Sequence, residues 1–115
     1  MDWTAYLDDM KSNLRELHRT IPDTAKGFGT LEKAAKQGGV LDAKTKEFVA
    51  LGIAIGVRCE PCIGFHVAAL IRAGASREEV ADVLAMSVQM GGGPSLMYAA
   101  KALAAWDQLV DGETS

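Results

Sequence analysis

FVALGIAIGV, residues 48–57, carries no charged or polar side chain. It lacks the alternation of a half-buried strand and is far shorter than a membrane span. What remains is a helix apolar on every side, which has to be buried on every side, in a core or between subunits. Asp42 stands where an N-cap belongs, so the helix is expected to begin at Ala43. Glu47 is joined directly to the apolar run.

Helical spacing continues outward in both directions. Trp3, Leu7, Met10, Leu14, Leu17 and Ile21 fall at alternating steps of four and three, with Asp8, Asp9, Lys11, Arg15 and Glu16 off that seam. Such a seam packs against the chain's own core or against a subunit. Pro22 ends this helix or starts the next. Residues 23–39 form a weaker helical stretch, broken by Gly27 and Gly29 and closed by Gly38 and Gly39, with Phe28, Leu31, Ala34 and Ala35 as its expected buried side. Further on, IGFHVAALIRAG (63–74) reads as a helix closing at Gly74. Ser76-Arg77-Glu78-Glu79 is a capping box opening a helix with Val80, Leu84 and Val88 inside.

GGGP (91–94) breaks the chain, and Pro94 is well placed to open a last helix carrying Leu96, Leu103, Trp106 and Val110. DGETS (111–115) is expected to fray. Met86, Met90 and Met97 are expected to fill the core. No stretch alternates like a strand. The expectation is an all-α fold: one domain over 1–115, a compact bundle of five to six short helices with its core at about 41–105. Hydrophobic residues make up 49% of the 115-residue chain but aromatics only 6%, so that core is built from Ala, Leu, Val and Ile. So much Ala, with a wholly apolar helix, points to a homo-oligomer that completes the burial.

A net charge of −3 and scattered basic residues give no track for nucleic acid and no attraction to an anionic membrane. The acidic, amphipathic start MDWTAYLDDMK is unlike a secretory signal, so the expected location is cytoplasmic. In a reducing cytosol a permanent structural disulfide is the weakest reading of two cysteines.

Those cysteines lie in RCEPCIGFH, residues 58–66. If a helix starts near Glu60 or Pro61, Cys62 is in its first turn and His66 lies one turn further on the same face. Cys59, just before the helix, can bridge to Cys62 across one turn. The thiolate is the reactive form of cysteine; a helix N-terminus favours it, and an imidazole can take its proton. Glu47 could orient that imidazole or serve as the terminal base. The helix dipole would favour Cys59 as the activated thiol, whereas the local base favours Cys62. Cys62 is chosen as the attacking thiol, with Cys59 resolving it by closing the disulfide. The competing reading is a non-catalytic oligomeric or zinc-binding protein that uses the cysteines for structure or sensing. A closed zinc site needs a fourth ligand, however, and the only other histidine is His18.

TKEFVALGIAIGVRCEPCIGFH (45–66), AGASREEV (73–80) and MGGGP (90–94) together resemble the AhpD-like alkylhydroperoxidase branch of the carboxymuconolactone decarboxylase family, on the pattern Glu-x11-Cys-x2-Cys-x3-His. The resemblance implies an all-helical fold assembled as a trimer or hexamer. It also implies thiol-dependent reduction of hydroperoxides, with a dithiol reductant on a lipoyl-bearing or thioredoxin-like protein; no cofactor or metal is expected. Cys62 would be the peroxide-attacking thiol, Cys59 its proton donor and disulfide partner, and Glu47 and His66 members of a proton relay. The pattern departs at Pro61, where alkylhydroperoxidases of this type carry a further histidine, so the implied relay is shorter. The decarboxylase branch typically lacks the cysteine pair, so decarboxylation is not expected.

Overall fold

The computed structural model describes residues 1–114 and contains six helices: α1 (Trp3–Thr20), α2 (Pro22–Lys36), α3 (Ala43–Gly56), α4 (Glu60–Arg72), α5 (Arg77–Gly91) and α6 (Gly93–Thr114). Among the described residues there is no strand. Short polar side chains set three of the six starts by satisfying first-turn amides that have no partner within the helix. Ala5 N–H donates to Asp2 Oδ1 at 3.0 Å and Thr45 N–H to Asp42 Oδ1 at 2.8 Å. At α5 the capping box is reciprocal: Glu79 N–H donates to Ser76 Oγ at 3.0 Å, and Ser76 N–H to Glu79 Oε1 at 2.9 Å. Pro22 opens α2 directly after Ile21, which ends α1.

α3, α4, α5 and α6 pack on one another most extensively. Leu51, Ile55, Ile63, Val67, Leu70 and Val80 are wholly buried between them, each stabilising the fold by about 1.5–3 kcal/mol. Buried Ala99, Ala102 and Ala105 let α6 come close. α1 lies across α4 and α6, where Gly64 makes room: a Cβ there would sit 2.7 Å from Leu7 Cδ2 and 3.0 Å from the Trp3 ring. Gln108 ties down the start of α1, accepting from Trp3 N–H at 2.8 Å and donating to the Met1 carbonyl at 2.9 Å.

Several expectations need correction. α2 runs unbroken through Gly27 and Gly29, and none of its residues is buried; Phe28 and Leu31 are both more than 60% exposed. The α1 seam packs on the core only through Trp3 and Leu7, while Leu17 and Ile21 remain exposed. Within one chain α3 buries Leu51, Ala54 and Ile55 and exposes Val49, Ile53 and, at its end, Val57, so of the two settings expected for this helix the core alone does not cover every side. Met86, Met90 and Met97 are exposed, so they do not fill the core, and Leu96 is exposed as well. α6 continues through Asp111 to Thr114, where fraying was expected; Ser115 lies outside the described residues.

No helix among the described residues is long and apolar enough to cross a membrane.

Candidate redox site

The turn between α3 and α4 builds the site. Val57, Arg58 and Cys59 close α3 with the hydrogen bonds of a Schellman turn: Arg58 N–H donates to the Ile55 carbonyl at 3.2 Å and Cys59 N–H to the Ala54 carbonyl at 3.0 Å. Arg58 takes the left-handed residue position, with φ 60°. Cys59 is at once the last residue of that turn and the N-cap of α4, its sulfur accepting from Cys62 N–H at 3.3 Å. Pro61 falls in the first turn of α4, where its missing N–H costs no hydrogen bond. Cys59 and Cys62 are joined in a disulfide, their Cα atoms 5.2 Å apart.

One turn further along α4, His66 Nδ1 lies 2.6 Å from Glu47 Oε2 on α3. That is the distance at which a ring N–H donates to a carboxylate, and it leaves Nε2 as the nitrogen able to take up a proton. Both side chains are largely buried, 24% exposed for His66 and 14% for Glu47. The expected partnership of Glu47 and His66 is therefore present, made by two helices crossing rather than by neighbours in sequence.

Cys62, His66 and Glu47 all line one cavity of about 740 Å3 beneath the α1–α2 hairpin. Its walls are otherwise mainly apolar, with Leu14, Leu17 and Phe28 on the hairpin side and Phe65 on α4. The exposed half of the α1 seam thus has a place: it faces this space. Cys59 does not line the cavity.

Two cationic residues at the site were missing from the sequence reading. Lys36 Nζ stands 4.0 Å from Glu47 Oε1 and 2.9 Å from Glu32 Oε1, so an ammonium from α2 faces the carboxylate behind His66. Lys46 Nζ donates to the carbonyls of Ala35 and Gly38 at 2.9 and 2.7 Å, pinning the end of α2 beside α3. Both contacts are made by tertiary approach of α2, and nothing in the local spacing signals them. Beside the disulfide, Glu60 pairs with Lys101 Nζ at 2.8 Å. Burial, and then the Glu60 carboxylate, pushes the Tyr6 hydroxyl above its ordinary pKa, and the bond to Glu60 raises Lys101 in the same direction.

No group of three or more His, Cys, Asp or Glu side chains among the described residues is arranged to hold a metal ion, and His18 lines the cavity wall on α1.

The comparisons with known proteins agree with this architecture. An uncharacterized protein of Cupriavidus necator is 41% identical over 108 residues, covering 88% of this chain and 96% of the relative. The crystal structure of a carboxymuconolactone decarboxylase family protein from Legionella pneumophila superposes with a TM-score of 0.90 at 42% identity, over 94% of this chain and 96% of that one. A family member from Thermotoga maritima, for which a part in the antioxidative response has been suggested, gives a TM-score of 0.84 at 28% identity, over 95% and 93% of the two chains. The family model for carboxymuconolactone decarboxylases matches residues 22–105, from the start of α2 to well inside α6. This chain belongs to the carboxymuconolactone decarboxylase family.

Proposed function

We propose that this protein is a thiol peroxidase of the AhpD-like type, reducing hydroperoxides through Cys62 and Cys59. One observation carries the reading: Cys62, His66 and Glu47 open on a single mainly apolar cavity, and Cys62 is bonded to a cysteine that can resolve it. In the reduced protein, His66 Nε2 takes the Cys62 proton while Glu47 holds the ring at Nδ1 and offsets its charge. The Cys62 thiolate attacks the terminal oxygen of the hydroperoxide. The O–O bond breaks, Cys62 becomes a sulfenic acid, and the alkoxide takes the proton held by His66 and leaves as the alcohol. The Cys59 thiol then displaces water from Cys62, closing the disulfide. A dithiol, on a lipoyl-bearing or thioredoxin-like protein, returns the pair to two thiols and is itself oxidised to a disulfide.

Pro61 leaves the relay with Glu47 and His66 alone. Apolar walls favour organic hydroperoxides over hydrogen peroxide, since they desolvate an alkyl chain at no polar cost. Cytoplasmic reductants would keep the cycle supplied. Exposed Val49, Ile53, Met86 and Met90 on α3 and α5 support assembly of several copies, as a trimer or hexamer.

The deciding experiment adds one equivalent of an organic hydroperoxide to the fully reduced protein and follows free thiols and intact mass. Loss of both thiols with the mass of one internal disulfide is expected. Two thiols surviving, with no alcohol formed, would sink the proposal. His66→Ala should slow the step by about 10²–10⁴-fold, with Cys62 alkylation slowed near neutral pH.

A further inference from the structure

The two sulfurs of the disulfide meet different surroundings. Cys62 lines the cavity and packs against the core, and Cys59 does neither. Cys59 instead follows Gly56, Val57 and Arg58, all of them exposed, with Val57 67% exposed. Arg58 pairs with no carboxylate among the described residues, whereas Glu60 on the other side of Cys59 is held by Lys101 and Tyr6. The charge presented beside Cys59 is therefore that of the guanidinium. Arg58 also sits at φ 60°, where an L-residue is strained and glycine is not, so the turn itself gains nothing from an arginine there.

We propose that oxidant and reductant use opposite faces of this disulfide: the hydroperoxide reaches Cys62 through the cavity, and the dithiol attacks Cys59 from outside, its thiolate drawn in by Arg58. The proposal rests on the peroxidase reading for the first half only. Attack on a disulfide sulfur runs in line with the S–S bond, so a thiolate striking Cys59 comes from the side opposite Cys62 and needs no room in the cavity. A new bond forms between the reductant sulfur and Cys59 Sγ, and the Cys59–Cys62 bond breaks. The electron pair leaves on Cys62, whose thiolate is protonated by His66. The reductant's second thiolate then attacks its own first sulfur, expelling Cys59, which takes up a proton. The dithiol loses two electrons and two protons, and the cysteine pair gains both. Because both cysteines lie at the first turn of α4 and share its amides, access rather than helix polarity decides which sulfur is struck. An anionic thiolate in front of a guanidinium is concentrated by simple Coulomb attraction.

The test uses the oxidised protein and no peroxide. It is mixed briefly with excess glutathione, the released thiol is capped with N-ethylmaleimide, and the tryptic peptide 59–72 is fragmented in the mass spectrometer between Glu60 and Pro61, which assigns each adduct to one cysteine. Glutathione is expected on Cys59 and maleimide on Cys62, by at least tenfold over the reverse. Glutathione on Cys62, an even split, or no adduct at all would overturn the proposal. Arg58→Glu should slow the reaction with anionic glutathione roughly tenfold at low salt and leave cysteamine, whose ammonium balances the charge of its thiolate, nearly unaffected. If both thiols slow equally, Arg58 serves only the turn. Failure here leaves peroxide turnover by Cys62 standing, and absence of turnover leaves the adduct map readable.

Discussion

Two turns in this molecule are built with the same hydrogen bonds and differ in what they are for. After α4, Gly74 N–H donates to the Ile71 carbonyl at 3.1 Å and Ala75 N–H to the Leu70 carbonyl at 3.0 Å, repeating the bonds of Arg58 and Cys59 after α3. Both turns place one residue in the left-handed region, Gly74 at φ 82° and Arg58 at φ 60°. Both lead into the N-cap of the next helix, Ser76 in one case and Cys59 in the other. The α4–α5 turn uses the residues that stabilise it best: glycine for the backbone and serine, with Glu79, for the cap. The α3–α4 turn replaces glycine by a cation and the hydroxyl cap by a sulfur. Strain and a weaker cap persist where the surrounding helices hold the chain in place, and here they coincide with the disulfide.

The largest effect that separates the two turns is chemical. Cys62→Ser should reduce hydroperoxide turnover to background while the helical circular dichroism stays native. Loss of the cross-link across about four residues removes only about 2 kcal/mol of unfolded-state restriction. Turnover persisting in Cys62→Ser would dissolve the distinction between the turns. Gly74→Ala should do the reverse. A Cβ at Gly74 meets nothing within 4 Å, so its cost is the left-handed backbone alone, about 1–2 kcal/mol by denaturant unfolding, with peroxide kinetics unchanged. Arg58→Gly should then stabilise the protein, by about 0.5–1 kcal/mol. No gain in the denaturation midpoint would mean that Arg58 makes up its strain in some other contact.

How legible these features were follows from the range of the interactions behind them. The N-cap Asp42, the capping box at Ser76 and the helix end at Gly74 depend on residues within a few positions of each other, and each stands where the sequence indicates. The i, i+4 spacing of Cys62 and His66 and the bridge from Cys59 are local in the same sense. Glu47 was read as a carboxylate that could orient the His66 ring, a link the family pattern also implies, and the 2.6 Å contact comes from the packing of α3 on α4. What failed was inference from hydrophobicity to burial. Phe28, Leu31, Met86, Met90 and Met97 are apolar residues on helix faces that this chain leaves uncovered. Periodicity says which side of a helix is apolar, but what covers that side depends on neighbours that the pattern does not name. Lys36 beside Glu47 illustrates the same limit for charges, since α2 reaches the site only after the chain has turned back on itself through residues 37–42.

The smallest expected difference between the turns is a matter of pH. Glu79 is held below the ordinary glutamate pKa of 4.5, first by its bond from the Ser76 backbone and then by Lys44, whose Nζ lies 3.2 Å away. A carboxylate whose folded pKa is lower than its unfolded value stabilises the fold fully above the unfolded pKa. It loses that contribution as pH falls through the lower, folded one. The start of α5 should therefore loosen below about pH 4.5, and Asp42, held below its usual 3.8 by Thr45, should weaken the start of α3 at still lower pH. The cap of α4 has no such dependence, because its sulfur is in a disulfide and does not titrate. Amide hydrogen exchange on the oxidised protein, followed from neutral pH downward and corrected for the intrinsic rate, should show first-turn protection falling at α5 before α4. Equal loss at both would mean that acid acts on the bundle as a whole. After reduction the α4 cap becomes a thiol and the contrast should narrow, with loosening at α4 under conditions where the oxidised turn stays closed.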